Sequence, residues 1–258
     1  MGSPQAGLAE KLTFIGSQGD ELAARCDLPA GEPVATALFA HCFTCSKDLV
    51  AASRIARGLT EHGVAVLRFD FTGLGSSEGE FANTTFSSNV DDLVAAADYL
   101  RVAHSAPVLL VGHSLGGAAV LAAAARVPEA RAVCTIGAPA DPAHVAHLFA
   151  GSRDEILASG EAEVAIAGRT FRIRRGFLED IASQRLATAV SELRRAVLFL
   201  HSPVDEIVGI DNAAQLYGTA KHPKSFVSLD DADHLLTRRE DASYAADVIA
   251  VWSSRYVS

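Results

Sequence analysis

Three residues of this chain have the types and order that nucleophilic catalysis needs: Ser114, Asp205 and His234. Ser114 lies in Gly112-His113-Ser114-Leu115-Gly116, a G-x-S-x-G pattern. The apolar run Val108 to Val111 precedes it, too short for a helix and right for a buried strand. An alanine-rich helical pattern, Ala118 to Arg126, follows. Strand, sharp turn and helix with this pattern at the turn predict a nucleophile elbow. The turn forces the serine into a strained backbone conformation, and the glycines let strand and helix approach closely. The plain alternative is a glycine-rich turn with an ordinary serine. The flanking elements favour the catalytic reading.

The neighbouring elements decide which groups can serve Ser114. Lys11 to Ile15 and Glu21 to Asp27 read as a hairpin turning at 16–20, and Ala35 to Ala40 as a third strand. A helix capped by Ser46 or Asp48 runs to about His62, and Val64 to Phe69 is a strand. Asn89 to Ala103 is an amphipathic helix with Val90, Leu93, Ala97 and Leu100 on one face. After the elbow come strands at Ala132 to Ile136, Ala196 to Leu200 and Ser225 to Leu229. Helices at Asn212 to Thr219 and Tyr244 to Arg255 complete the pattern. Strands alternating with helices predict an α/β protein, a mostly parallel central sheet with helices on both faces.

In such a sheet ligands bind beyond the carboxyl ends of the strands. Of nine histidines, only His234 follows the last strand at that end. His222 precedes that strand, and His113 points away from the nucleophile. His41 reads as a loop-fixing partner, while His144 and His147 read as residues of a solvated helix. Asp205 follows the preceding strand and is the expected acid, with Asp141 as the alternative. The order Ser114, Asp205, His234 differs from the chymotrypsin and subtilisin orders. His234 would take the hydroxyl proton, and Asp205 would orient the imidazole. The oxyanion hole is expected from the backbone N–H groups of Leu115 and, by position, Phe43. Cys42 and Cys45 flank Phe43 as a C-x-x-C. They read first as small residues packing a tight loop, and second as a redox pair. No metal or organic cofactor is expected.

The chain of 258 residues, 49% hydrophobic, is globular and suits one large α/β domain or two small ones. Residues 1–138 and 196–258 read as the hydrolase core. Residues 139–195 read as a lid insertion, since about fifty-five residues are far too many for an ordinary connection. The lid should hold a helix (Ala143 to Ala150), a hairpin (Val164 to Ile173, turning at Gly168) and a helix (Leu178 to Leu193). Phe149, Phe171 and Phe177 are its candidates for an acyl pocket. A net charge of −9 argues against nucleic acid as a partner. No apolar stretch reaches membrane-spanning length, so no membrane partner is expected. Residues 1–10 lack the pattern of a secretory signal, and four cysteines are too few for a disulfide scaffold, so a cytoplasmic location is expected.

The placed residues, with "HSPVDEIV" and "FDFTGLGSSEG", resemble the α/β-hydrolase family over nearly the whole chain. More narrowly, "HCFTCSKD", "RFDFTGLGSSEG" and "KHPKSFVSLDDADHLL" are similar to the hydrolase half of proteins in which such a domain is fused to an OsmC-like peroxide-reducing domain. That second domain, a possible partner, is absent from these residues. Cys42 departs from the usual family pattern, where glycine follows the histidine, and Thr72 stands where arginine is frequent. The resemblance implies an α/β-hydrolase fold and a serine esterase acting on small carboxylic esters through an acyl-enzyme. An acyltransferase or thioesterase with the same three residues is the near alternative. A non-catalytic sensor on the same scaffold is the distant one.

Overall fold

The computed structural model describes residues 8–41, 45–166 and 168–257. An eight-stranded sheet carries the molecule, in the order β1-β2-β4-β3-β5-β6-β9-β10. Its strands are β1 (Ala9–Ile15), β2 (Glu21–Asp27), β3 (Ala35–Ala40), β4 (Val64–Phe69), β5 (Leu109–His113), β6 (Ala132–Ile136), β9 (Ala196–His201) and β10 (Lys224–Ser228). β1 and β2 form the expected antiparallel hairpin, and β2 pairs antiparallel with β4. The pairs from β4 to β10 are all parallel. Strands β3, β4, β5, β6 and β9 are buried throughout, as strands covered on both faces must be.

The pleat of β5 divides the core. Leu110 faces a cluster with α2 (Phe86–Ala103) and α3 (Leu115–Ala123). Leu109 and Val111 face a second cluster with α1 (Val50–Glu61) and α8 (Arg239–Val257). The four apolar residues expected on one face of α2 are all buried. The helix starts three residues earlier than its apolar pattern suggests. Thr85 caps it, accepting from the Ser88 N–H, while the Ser88 hydroxyl accepts from the Thr85 N–H. No cap bond forms at α1, although Ser46 and Asp48 stood ready in the sequence; Leu49 occupies the cap position instead.

Residues 139–195 fold over the α2 and α3 side. They hold a 3₁₀ run (Pro142–Ser152), α4 (Arg153–Ser159), the hairpin β7 (Glu161–Ile166) with β8 (Arg169–Arg174), α5 (Arg175–Ser183) and α6 (Leu186–Glu192). The single helix expected from Leu178 to Leu193 is therefore two, because Gln184 is extended (φ −64°, ψ 143°). Phe149, Phe171 and Phe177 are all buried. Phe149 packs edge-on against Phe177 within the segment, and Phe171 packs edge-on against Phe81 outside it, which ties the segment to the rest of the protein. One helix, α7 (Asp211–Thr219), remains, between β9 and β10.

Candidate active site

The elbow is built as its glycines require. Ser114 has φ 56° and ψ −127°, a left-handed conformation that a side chain rarely adopts. Its N–H is held by the Ile136 carbonyl at 2.8 Å, which ties the strained turn to β6. A Cβ on Gly112 would lie 2.3 Å from the Gly116 carbonyl oxygen, and one on Gly116 would lie 2.3 Å from that of His41. Ser114 occupies the N-cap position of α3. The N–H of Leu115, first residue of that helix, has no partner within it, as at any helix start.

His234 stands between Ser114 and Asp205. Its Nε2 is 3.0 Å from Ser114 Oγ, and its Nδ1 is 2.7 Å from Asp205 Oδ2. An ionised aspartate only accepts, so Nδ1 carries the proton and Nε2 is free to accept one from the serine. Asp205 Oδ1 accepts the N–H groups of Ile207 (2.9 Å) and Val208 (2.8 Å). Burial pushes the Asp205 carboxyl up, but the His234 and Val208 hydrogen bonds outweigh it and hold the group below its usual value. The structure brings these three residues together in one hydrogen-bonded line. Asp141 is elsewhere employed: it caps the following 3₁₀ run, accepting the Ala143 N–H at 2.9 Å.

Several supporting residues escaped the sequence reading. Gly137, just beyond β6, has φ 55°, and a Cβ there would sit 3.2 Å from Asp205 Oδ2 and 3.3 Å from His234 Nδ1. A side chain there would press on the pair and would be strained at this φ. His113 does point away from Ser114, yet its Nε2 lies 2.7 Å from the His234 carbonyl oxygen. It must donate there, so the loop carrying His234 is fastened to the elbow strand. Burial, with the His234 ring beside it, lowers the His113 pKa to about 3, which keeps this ring neutral. His201 donates from Nε2 to the Val208 carbonyl at 2.7 Å, bracing the loop of Asp205. His144 is not simply solvated: its Nε2 is 2.9 Å from the Ile207 carbonyl oxygen and joins segment 139–195 to that loop.

Phe43, the second expected oxyanion donor, lies outside the described residues, as does Cys42. Cys45 is disulfide-bonded, so it is not the packed free thiol of the first reading, whereas Cys26 and Cys134 are free and buried. Both ends of that loop are anchored. His41 is buried, edge-on to Phe71 and 4.0 Å from Asp70. Lys47 gives its backbone N–H to Asp70 Oδ1 (2.6 Å) and its Nζ to Oδ2 (2.7 Å). Arg68, also buried, binds Asp27, Ser53 and the Lys47 carbonyl. Asp70 is wholly buried. Asp70→Asn should therefore destabilise the fold by about 3 kcal/mol, because the buried Lys47 ammonium would keep only the exposed Asp48 carboxylate, at 3.5 Å. Urea unfolding tests this. A midpoint equal to that of the parent protein would mean the pair is not anchoring the loop.

The alpha/beta hydrolase family model matches residues 37–250, and the chain belongs to that family. The crystal structure of the esterase domain from a Rhodothermus marinus protein is 51% identical, with a TM-score of 0.80. The match covers 97% of this chain and 100% of that one. Uncharacterized protein YfhR of Salmonella typhimurium is 30% identical over 241 residues, which are 90% of this chain and 76% of YfhR. Mitochondrial palmitoyl-protein thioesterase ABHD10 of Mus musculus is 30% identical over 187 residues, 69% of this chain and 62% of that protein. Among the described residues no helix is long and apolar enough to cross a membrane.

Proposed function

We propose that the chain is a serine esterase that cleaves small carboxylic esters through an acyl-enzyme. The observation that carries this reading is the hydrogen-bonded line Ser114–His234–Asp205, at 3.0 and 2.7 Å. Ser114 Oγ attacks the acyl carbon while its proton passes to His234 Nε2. Asp205 stabilises the imidazolium. The Leu115 N–H, with that of Phe43, receives the negative charge on the tetrahedral oxygen. The proton on Nε2 then goes to the leaving alkoxide, and the C–O bond breaks. Water, deprotonated by His234, attacks the acyl-enzyme, and the carboxylic acid leaves with Ser114 restored.

Residues 139–195 act as the lid of this site, joined to it at Ile207 through His144. An OsmC-like domain remains the proposed partner. A thioesterase is the second reading. It is favoured by the 30% identity to a protein named palmitoyl-protein thioesterase, and it needs no change in the three residues. With a p-nitrophenyl ester, rapid mixing should give a burst of nitrophenol close to one equivalent per chain, followed by slower turnover. A burst with esters and none with matched thioesters supports the first reading over the second. Neither a burst nor turnover on either class would leave the sensor reading in its place.

A further inference from the structure

We infer that the cleft beside His234 is the leaving-group subsite, and that it takes apolar leaving groups that are neutral or cationic and rejects anionic ones. This rests on the acyl-transfer reading above. Whatever leaves Ser114 must accept the proton held on His234 Nε2, so its oxygen or sulfur sits against that ring. The rest of the leaving group extends into whatever space His234 borders. Among the described residues His234 lines one such space, a cleft of about 490 Å³ between the loops 204–207 and 231–237.

Its walls are apolar and its rim is acidic. Val204, Ile207 and Leu235 line it while remaining 56%, 47% and 41% exposed. Three such side chains left in water on either side of a reactive histidine offer an apolar body something to bury against. The rim carries Glu206, Asp231 and Asp233. Arg238, the cation in contact with this rim, is shared between Asp231 and Asp241 at 2.8 Å each. Arg54 is turned to the Thr237 carbonyl. Asp233 accepts the Thr237 N–H at 3.0 Å and the Thr237 hydroxyl. Glu206 forms no ion pair with a described Lys, Arg or His, and it follows Asp205 directly, at the lip of the cleft. Asp231 is thus offset by Arg238, and an anionic leaving group would meet the unpaired charges of Glu206 and Asp233.

The test uses phenyl acetates matched in phenol acidity, carrying a trimethylammonium, a neutral or a sulfonate substituent. At low ionic strength kcat/KM should fall in that order, by about three- to tenfold per step. Added salt should compress the series. Glu206→Gln should narrow the spread, and the charge reversal Glu206→Lys should invert it. Both changes are on an exposed side chain, and neither alters the line of three residues. Equal rates across the series, or the same order in wild type and Glu206→Lys, would overturn the subsite while leaving the esterase reading intact. If no ester is turned over, the esterase reading fails separately. The same three leaving groups are then placed on methylphosphonates, and labelling of the chain is followed by mass. A charge order that inverts in Glu206→Lys would keep the subsite, and equal labelling or none would overturn it.

Discussion

Replacing Ser114 with alanine is expected to lower ester hydrolysis about 10⁴- to 10⁶-fold, the largest effect of any single change. In the proposed mechanism the oxygen removed is the one that forms the acyl bond, and among the described residues no other hydroxyl or thiol hydrogen-bonds to His234 Nε2. The fold should survive. The Ser114 hydroxyl touches His234, while the turn is held by the backbone, through the bond to Ile136 and the close packing of Gly112 and Gly116. Alanine also meets the same backbone strain as serine at φ 56°. Steady-state rates beside a thermal melt check both halves. Activity within tenfold of the parent, with the fold retained, would remove Ser114 from the chemistry.

Asp205→Asn is expected to lower kcat by about 10³- to 10⁴-fold, and Asp141→Asn to change it little. The amide of asparagine can donate to His234 Nδ1, which invites the proton onto Nε2 and leaves the base facing Ser114 unable to accept one. The loop should keep its shape, since the oxygen of asparagine can still accept from Ile207 and Val208. Asp141 caps a 3₁₀ run, so its loss touches local order and leaves the imidazole alone. Rates for the two variants, measured with one ester, decide the matter. Greater damage from Asp141→Asn would move the acid to the end of β6.

What the sequence revealed divides along the range of the interactions. The elbow was legible because its strand, glycines and helix are contiguous from Val108 to Arg126. Asp205 and His234 were legible because a parallel sheet delivers the ends of β9 and β10 to one edge. The supports were not legible, because each joins residues far apart in the chain. His113 meets the His234 carbonyl across 121 positions, and His144 meets Ile207 across 63. Lys47 and Asp70, 23 positions apart, form one buried pair that nothing local announces. The demand on Gly137, room for Asp205 and His234, exists only once the strands are assembled. The single helix expected over 178–193 followed composition, and the break at Gln184 carries no glycine or proline to mark it.

The claim that Ser114 is the nucleophile is tested most directly by mass spectrometry after reaction with an ester-like fluorophosphonate. One adduct per chain should form, on the peptide containing Ser114, with loss of activity in proportion to labelling and no adduct on Ser114→Ala. An adduct on another residue, or undiminished labelling of Ser114→Ala, would contradict the account.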